Sequence, residues 1–327
     1  MYFATAFVLF LAVTGAYSKD DSRELLFKKR CRSPKVYLAL GDSIPAGTRD
    51  EIPGPVMSEP FGELNYPNIF NQLLGKRGFD QVINLSCPRE STENMLDGNK
   101  GDPMSPDGSL CYGDNAPLAP TLSLNGNTSS QLNAAKYILA NYNVGLLTIT
   151  LGSNDMIQNC VQTGLAGAAF VACANKQYDV VKFNLKNILD ELSSLDTSIP
   201  ILISNYYSPF LAFQLPGTPL FLRQIFPLYA EANAGTNFAI ADGVESSLGK
   251  NMALVDLESA FDSFDISGTP LPRNVLTICQ NTYMCGKDES NKWVYGTPNA
   301  DVHPNKKGHI KVAKTFYKAY DDMQRDK

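Results

Sequence analysis

Five short apolar runs alternate along this 327-residue chain with longer stretches whose apolar residues recur at helical spacing. Strands buried on both faces are typically short continuous apolar runs, and parallel strands are joined by helices. The pattern therefore predicts a three-layer α/β/α domain around a central, mostly parallel five-stranded sheet. The predicted strands are 36–40, 81–85, 145–151, 199–204 and 252–255, and the predicted helices are 66–75, 130–142, 176–195, 228–248 and 305–320.

The composition is that of an ordinary globular protein, with 44% hydrophobic and 19% charged residues. No linker-like stretch divides the chain, so we predict a single domain over residues 36–327. The net charge of -5 provides no overall field that would attract nucleic acid, and we predict no nucleic-acid partner.

Residues 1–18 have the form of a signal peptide, with an apolar core at 7–13 and small residues at Ala16 and Ser18 before the cleavage point. The sequence thus predicts a secreted protein, or one in the lumen of the secretory pathway. Residues 19–35 form an N-terminal segment whose basic residues at 28–30 resemble a processing site. No other stretch approaches the ~18 apolar residues of a membrane span. We predict no integral membrane segment, and a monomer.

Seven cysteines fit an oxidising compartment. Connectivity does not follow from sequence alone, but nearest-neighbour pairing is favoured because each pair brackets a loop-like segment. The favoured pairs are Cys87–Cys111, Cys160–Cys173 and Cys279–Cys285. Cys31 is left over, and three alternatives stay open for it: removal with the N-terminal segment, pairing with another chain, or a free thiol.

Two long segments interrupt the alternation of strands and helices. Residues 97–128 are dominated by turn-forming and polar residues, and Asn127 within them is the predicted N-glycosylation site. The second acceptor pattern, at Asn84, closes a predicted buried strand and is expected to stay bare. Residues 206–229 are apolar and contain four prolines, which argue against one long helix. This segment is either the wall of an apolar pocket or a cover over the core.

The first predicted strand ends at Gly41-Asp42-Ser43, which places a serine hydroxyl where ligands of open α/β sheets bind. A serine needs a base to become a nucleophile. The chain has two histidines, His303 and His309, and both lie in one short segment near its end. The sequence therefore predicts that this segment meets the end of the first strand.

Three further segments stand in a distinctive order. The second strand is followed by Cys87-Pro88-Arg89-Glu90, the third by Gly152-Ser153-Asn154-Asp155, and the last helix is preceded by Asp301-Val302-His303-Pro304. Together with Gly41-Asp42-Ser43, these blocks resemble the SGNH (GDSL-type) esterase and lipase family over residues 36–320. The chain is most similar to the secreted, disulfide-bearing lipase-like branch, whose second block reads Asn-Leu-x-Cys-Pro-Gly-Glu.

The resemblance implies a flavodoxin-like fold and a role for each block. Ser43 matches the nucleophile and His303 the base, while His309 is interpreted as an ordinary surface or core residue. The oxyanion hole would consist of the backbone N–H groups of Ser43 and Arg89 and the side-chain amide of Asn154. No cofactor and no metal is implied.

Neighbouring residues receive supporting interpretations. Asp42 is expected to hold its turn by hydrogen bonds, and Gly152 and Asp155 to form the turn around Asn154. Tyr206 and Tyr207, which follow the fourth predicted strand, are interpreted as packing residues with a polar tip near the pocket.

Two positions depart from the family pattern. Arg89 stands where the second block has glycine, and a side chain there is strained if φ is positive. The family's acid stands three residues before the histidine, where this chain has Ala300, whereas Asp301 stands two before. Either Asp301 orients the His303 ring, or a backbone carbonyl does so and leaves a Ser-His dyad.

The resulting prediction is a secreted carboxylic ester hydrolase that acts through an acyl-serine intermediate on small-molecule acyl esters or lipids. Two alternatives stay open. One is a carbohydrate O-acetyl esterase, and the other is a catalytically impaired binding protein on the same scaffold.

Overall fold

The structure, a computed structural model, describes residues 33–47, 65–98, 111–112, 129–263, 272–296 and 300–325. The predicted signal peptide, Cys31, Asn127 and most of the 97–128 segment lie outside the described residues.

The core is a five-stranded sheet in the order β2-β1-β3-β4-β5, in which every neighbouring pair is parallel. This is the flavodoxin-like strand order, so the predicted fold class is confirmed. The run Val36–Leu40 in β1 is fully buried, because it is central in the sheet and covered on both faces. The strands are β1 (Lys35–Gly41), β2 (Gln81–Asn84), β3 (Asn143–Thr150), β4 (Ile201–Ser204) and β5 (Met252–Val255).

Helices cover both faces of the sheet. One layer contains α2 and α10, which pack on each other, and the other contains α4, α6 and α7. The helices are α1 (Ser43–Ala46), α2 (Tyr66–Leu74), α3 (Thr92–Asp97), α4 (Gln131–Asn141), α5 (Ser153–Met156), α6 (Gly167–Leu195), α7 (Leu220–Ser246), α8 (Leu257–Ala260), α9 (Pro272–Asn281) and α10 (Lys306–Arg325). Four short strands form two antiparallel pairs, β6 (Thr282–Tyr283) with β9 (Asp301–Pro304) and β7 (Cys285–Lys287) with β8 (Trp293–Tyr295).

The two long helices α6 and α7 begin well before their predicted starts at 176 and 228. In α7 the difference involves Pro227, one of the four prolines that were expected to prevent a long helix over 206–229, because it lies inside the helix. Pro227 is on the exposed side of α7, where water can satisfy the carbonyl that loses its N–H partner. Pro209 starts a 3₁₀ turn over Pro209–Gln214, and Pro219 immediately precedes the helix.

Three disulfides tie irregular segments to this frame, with Cα–Cα distances of 5.8, 5.8 and 5.0 Å. They join the three nearest-neighbour pairs, Cys87–Cys111, Cys160–Cys173 and Cys279–Cys285. Among the described helices none has the length and the apolar character needed to cross a membrane.

Candidate active site

Ser43 begins the short helix α1 directly after β1, at the carboxyl edge of the sheet. The turn requires Gly41, whose φ is 125° and where an added Cβ would lie 2.0 Å from the carbonyl oxygen of Thr150 in β3. Asp42 caps the helix, because its Oδ1 accepts from the N–H of Ile44 at 3.0 Å. The N–H of Ser43 points out of the first turn, where it has no partner within the helix.

The histidine segment approaches Ser43 from β9. His303 Nε2 lies 2.7 Å from Ser43 Oγ, between residues 260 positions apart in the chain. On the other side of the ring, His303 Nδ1 lies 2.6 Å from Asp301 Oδ1, which also accepts from the N–H of His303 at 2.9 Å. The carboxylate thus contacts the ring even though Asp301 stands one residue closer to the histidine than the family pattern has it.

Close backbone contacts hold β9 in place. Asn305 caps α10 by accepting from the N–H groups of Lys307 and Gly308 at 2.9 and 3.1 Å. Gly308 lies so near the end of α9 that a Cβ would stand 2.0 Å from the carbonyl oxygen of Asn281. Tyr207 donates its hydroxyl to the carbonyl of Val302 at 2.7 Å. The His303 ring is therefore positioned by a strand, a helix cap and a buried tyrosine.

His309, the second histidine, is buried in α10 and is not part of this line of contacts. Burial, with a smaller effect of His303, lowers its pKa to about 4, so the ring is neutral at physiological pH. Its Nδ1 has no hydrogen-bond partner within the described part of the chain. This agrees with its interpretation as a core residue.

Asp42 stabilises the turn that carries Ser43. Its Oδ2 accepts the hydroxyl of Tyr206 at 2.5 Å, and burial raises its pKa to about 6. Gly152, at the end of β3, has a φ of 128° and starts α5. A Cβ at Gly152 would press on Val181 and Ile240 at 3.2 and 3.3 Å. Asp42 and Gly152 therefore both contact the backbone turns at this edge of the sheet.

The second block lies beside Ser43 in an irregular backbone. Cys87 donates its N–H to the carbonyl of Gly41 at 2.9 Å. Arg89 has a φ of 65°, a left-handed conformation in which L residues are strained, and its side chain is exposed. This is the conformation for which the family pattern has glycine. Within the described residues, neither the N–H of Ser43 nor that of Arg89 donates a hydrogen bond.

The third block holds the second block in position. Asn154 donates Nδ2 to the carbonyl of Glu90 at 3.0 Å, and Gln158 donates Nε2 to the carbonyl of Arg89 at 2.6 Å. Asp155 accepts the N–H of Thr92 at 3.0 Å and its hydroxyl at 2.5 Å. Asp155 therefore links two blocks, whereas the sequence suggested a simple turn residue.

Three carboxyl groups near Ser43 are buried: Glu90 in the second block, and Asp42 and Asp155, whose charges act on it. Burial, followed by the charges of the other two, raises the pKa of Glu90 well above its ordinary value, and burial raises that of Asp155 to about 6. Glu90 Oε1 has no hydrogen-bond partner among the described residues. No grouping of acidic, histidine and cysteine side chains in the described ranges is arranged to hold a metal ion.

This carboxyl cluster was missed at the level of sequence, because its members are far apart in the chain. Two sequence features could have indicated the cluster: Glu90 in the second block, and the pair Tyr206 and Tyr207 after β4. Their side chains were interpreted as motif and packing residues, and their partners were not predicted.

A cleft of ≈ 1000 Å³ lies elsewhere, between β5 and α10. Its lining includes Met252, Leu254, Lys311, Lys314 and Lys318, and it contains none of the residues described above. Its lining contains neither Ser43 nor His303, and no histidine, so the serine–histidine pair described above lies outside it.

A model of the GDSL-like lipase/acylhydrolase family matches residues 39–310, which spans all four blocks. The chain belongs to the GDSL-like lipase/acylhydrolase family. Membership of this family implies ester hydrolase activity. A search of the curated proteins finds no matching sequence.

Solved structures of GDSL-type and related esterases are similar to this chain at low identity. An extracellular lipase from Streptomyces rimosus is 16% identical, with 87% of this chain and 99% of that chain covered and a TM-score of 0.46. A phospholipase A1 from Streptomyces albidoflavus is 16% identical, with 88% and 100% covered and a TM-score of 0.46. A variant of an acetyl xylan esterase from Geobacillus stearothermophilus is 16% identical, with 87% and 93% covered and a TM-score of 0.42.

Proposed function

We propose that this protein is a secreted carboxylic ester hydrolase in which Ser43 is the nucleophile. The observation that carries the proposal is the contact of 2.7 Å between Ser43 Oγ and His303 Nε2, with Asp301 on the opposite ring nitrogen. This is the arrangement in which an imidazole activates a serine hydroxyl.

The reaction has two halves, acylation of Ser43 and hydrolysis of the acyl-serine. His303 Nε2 accepts the hydroxyl proton as Ser43 Oγ attacks the ester carbonyl carbon, and the same nitrogen then gives that proton to the leaving alcohol. The acyl-serine is hydrolysed when His303 deprotonates a water that attacks the carbonyl, and the proton returns to Ser43 as the acid leaves. Asp301 keeps the other ring nitrogen protonated and stabilises the imidazolium that forms in each half.

Negative charge develops on the carbonyl oxygen in both halves and needs hydrogen-bond donors. The unused N–H groups of Ser43 and Arg89 and the amide of Asn154, all at the carboxyl edge, are the proposed donors. One such donor is worth roughly 2.7–4 kcal/mol of activation free energy. Three donors are thus as important for the rate as the activation of the serine.

We propose acyl esters or lipids as the substrate class, because the segment that follows β4, whose first residues contact Asp42 and β9, is apolar. Its Tyr207 contacts β9, and its Phe213 packs on Tyr295 with ring centroids 5.6 Å apart. The three disulfides support export to an oxidising compartment. The presence of Ser43, His303 and Asn154 together speaks against an impaired binding protein.

Active-site labelling tests the proposal directly. The purified protein should react with a fluorophosphonate and hydrolyse a short p-nitrophenyl ester, and Ser43→Ala should abolish both. Ser259→Ala is the matched control, because Ser259 lies in the short helix after β5 as Ser43 does after β1. A wild-type protein silent in both assays would refute the hydrolase, and persistent labelling of Ser43→Ala would refute the nucleophile.

Substrate class is tested by p-nitrophenyl esters of increasing chain length beside an acetylated sugar. Rising kcat/KM with chain length supports acyl and lipid esters. A preference for the acetylated sugar would instead indicate that the protein is a carbohydrate O-acetyl esterase.

A further inference from the structure

The segment from Asn205 to Tyr229 is unusual in its charge. At the 19% charged content of the whole chain, 25 residues would carry about five charged side chains. This segment carries one, Arg223, and no carboxylate, although the whole chain has a net charge of -5. A stretch with so little charge is ordinarily buried.

Its inner side is indeed buried. Leu211, Phe213 and Phe226 are at most 8% exposed and belong to the main core, so the segment is firmly anchored. Its outer side includes large exposed side chains. Leu220 and Phe221, the first two residues of α7, are 70% and 61% exposed. Adjacent large apolar side chains held in water by a rigid helix start indicate a surface that contacts something apolar.

This surface lies at the same edge of the sheet as Ser43. A helix that joins two parallel strands runs back from the carboxyl edge, so α7, between β4 and β5, begins at that edge. The segment that leads into it contacts both halves of the site. Tyr206 donates to Asp42, the neighbour of Ser43, and Tyr207 donates to Val302, the neighbour of His303.

Charge and size together indicate what this surface contacts. Within the segment the exposed charge is Arg223, and no carboxylate of the segment opposes it. Its Nη2 donates to the carbonyl of Leu215 at 2.8 Å, and the guanidinium has further donors that suit the phosphate of an anionic phospholipid. A phenylalanine buries roughly 150–250 Å², so these two side chains together fall well below the ~800 Å² per partner of a stable protein interface. Shallow insertion into a lipid surface needs only a few apolar side chains on a helix with basic neighbours.

We propose that Leu220 and Phe221 insert into a phospholipid surface with anionic headgroups and so present the Ser43 site to esters at that surface. The proposal deepens the proposed function and rests on it, because the lipid surface supplies the substrate. Arg223 contacts the headgroup phosphates.

Binding is tested apart from activity by co-sedimentation of Ser43→Ala protein with vesicles of phosphatidylcholine containing phosphatidylglycerol. The Leu220→Ser/Phe221→Ser double substitution in this background should weaken vesicle binding by roughly tenfold or more, since it removes two buried apolar side chains. Phe238→Ser is the matched control, because Phe238 is 73% exposed on the same helix about 27 Å further along. It should bind as the parent does.

Activity is then measured with an active Ser43. The double variant should hydrolyse soluble p-nitrophenyl acetate at the parental rate and lose roughly tenfold of its rate on vesicle-bound long-chain ester. Arg223→Gln should weaken binding to anionic vesicles but not to pure phosphatidylcholine.

Unchanged vesicle binding by the double variant, or an equal loss in Phe238→Ser, overturns the proposal. So does concentration-dependent self-association that the double substitution abolishes, which would make a second copy the occupant. A protein that binds vesicles through these residues but hydrolyses no ester separates the two proposals, because the proposed function fails while the lipid contact stands.

Discussion

The segment that carries His303 and the segment that carries Arg89 lie at the same edge of the sheet but are held differently. His303 lies in β9, a short strand that pairs with β6 across a register shift and is followed by a capped helix. Arg89 lies in an irregular turn with a φ of 65°, held by the side-chain amides of Asn154 in the third block and of Gln158 just after it. The first segment is positioned by strand pairing, a helix cap and the hydroxyl of Tyr207. The second has no strand pairing and is held by side-chain amide donors from a different part of the chain.

The difference determines what each segment tolerates. In β9, a shift of the acid by one residue is absorbed because Asp301 Oδ1 contacts both the backbone N–H and the ring of His303 within three residues. In the second block, hydrogen bonds from outside the block fix the backbone conformation. A residue other than glycine at position 89 therefore keeps the positive φ and is strained. The comparison therefore predicts large effects in β9 and in the holding amide, and a small one at Arg89.

The largest effect is expected from Asp301→Asn. The amide removes the charge that stabilises the imidazolium and favours the wrong ring tautomer, so turnover of a p-nitrophenyl ester should fall by up to ~10⁴. Circular dichroism and the midpoint of thermal unfolding serve as controls for folding. A loss of only a few tenfold would mean that His303 works as a dyad with Ser43, and that the local geometry of β9 is sufficient without the carboxylate.

The second-largest effect is expected from Asn154→Ala, with a loss of roughly 10²–10³ in kcat. The substitution removes an oxyanion donor and the hydrogen bond to the Glu90 carbonyl. Gln158→Ala is the matched control, since it removes the support of the neighbouring carbonyl of Arg89 alone. The control should lose much less activity. Equal losses would assign the effect to the positioning of the second block and would remove Asn154 from the oxyanion hole.

An intermediate effect, on stability, is expected at Glu90. The pKa of this buried carboxyl is raised, so between its ordinary value and the raised value the folded state binds more protons than the unfolded state. The free energy of unfolding therefore falls as pH rises through that range. Glu90→Gln carries no proton to lose, and its unfolding midpoint should exceed that of the parent by several degrees at pH 8 and by much less at pH 5.

Measuring the difference in unfolding midpoint at pH 5 and pH 8 separates the effect of Glu90 from the effects of the other buried carboxyl groups. Asp42 and Asp155, with pKa values raised to about 6, are present in both proteins and cancel in the difference. Glu245→Gln, at an exposed position of α7, is the control and should follow the parent at both pH values. A constant difference between Glu90→Gln and the parent from pH 5 to pH 8 would show that Glu90 is not held as a neutral acid.

The smallest effect is expected at Arg89. Glycine relieves a left-handed conformation that costs an L residue about 1–2 kcal/mol, but it also adds freedom to the unfolded chain, so the net gain in stability from Arg89→Gly should be under about 1 kcal/mol. Turnover should change by less than about twofold, a shift of under roughly 0.5 kcal/mol, because the N–H keeps its place. Arg89→Ala tests the side chain without relieving the strain. A large rise in turnover for glycine alone would mean that the arginine distorts the oxyanion hole.

The sequence by itself determined those features whose signals are local. Continuous apolar runs predicted the five strands, and the turn at Gly41-Asp42-Ser43 placed a serine at a strand end. The scarcity of histidines then indicated the segment that meets it. The helix starts were less well predicted, because exposure rather than sequence decides whether Pro227 ends a helix.

Only the tertiary structure decided features that join distant residues. It brought the Asp301 carboxylate to the His303 ring, placed Arg89 at positive φ, and gathered Asp42, Glu90 and Asp155 into one buried cluster. It also left Leu220 and Phe221 in solvent. The reason is physical: propensity and periodicity act over a few neighbouring residues, whereas hydrogen bonding, burial and charge depend on which elements the packed sheet brings together.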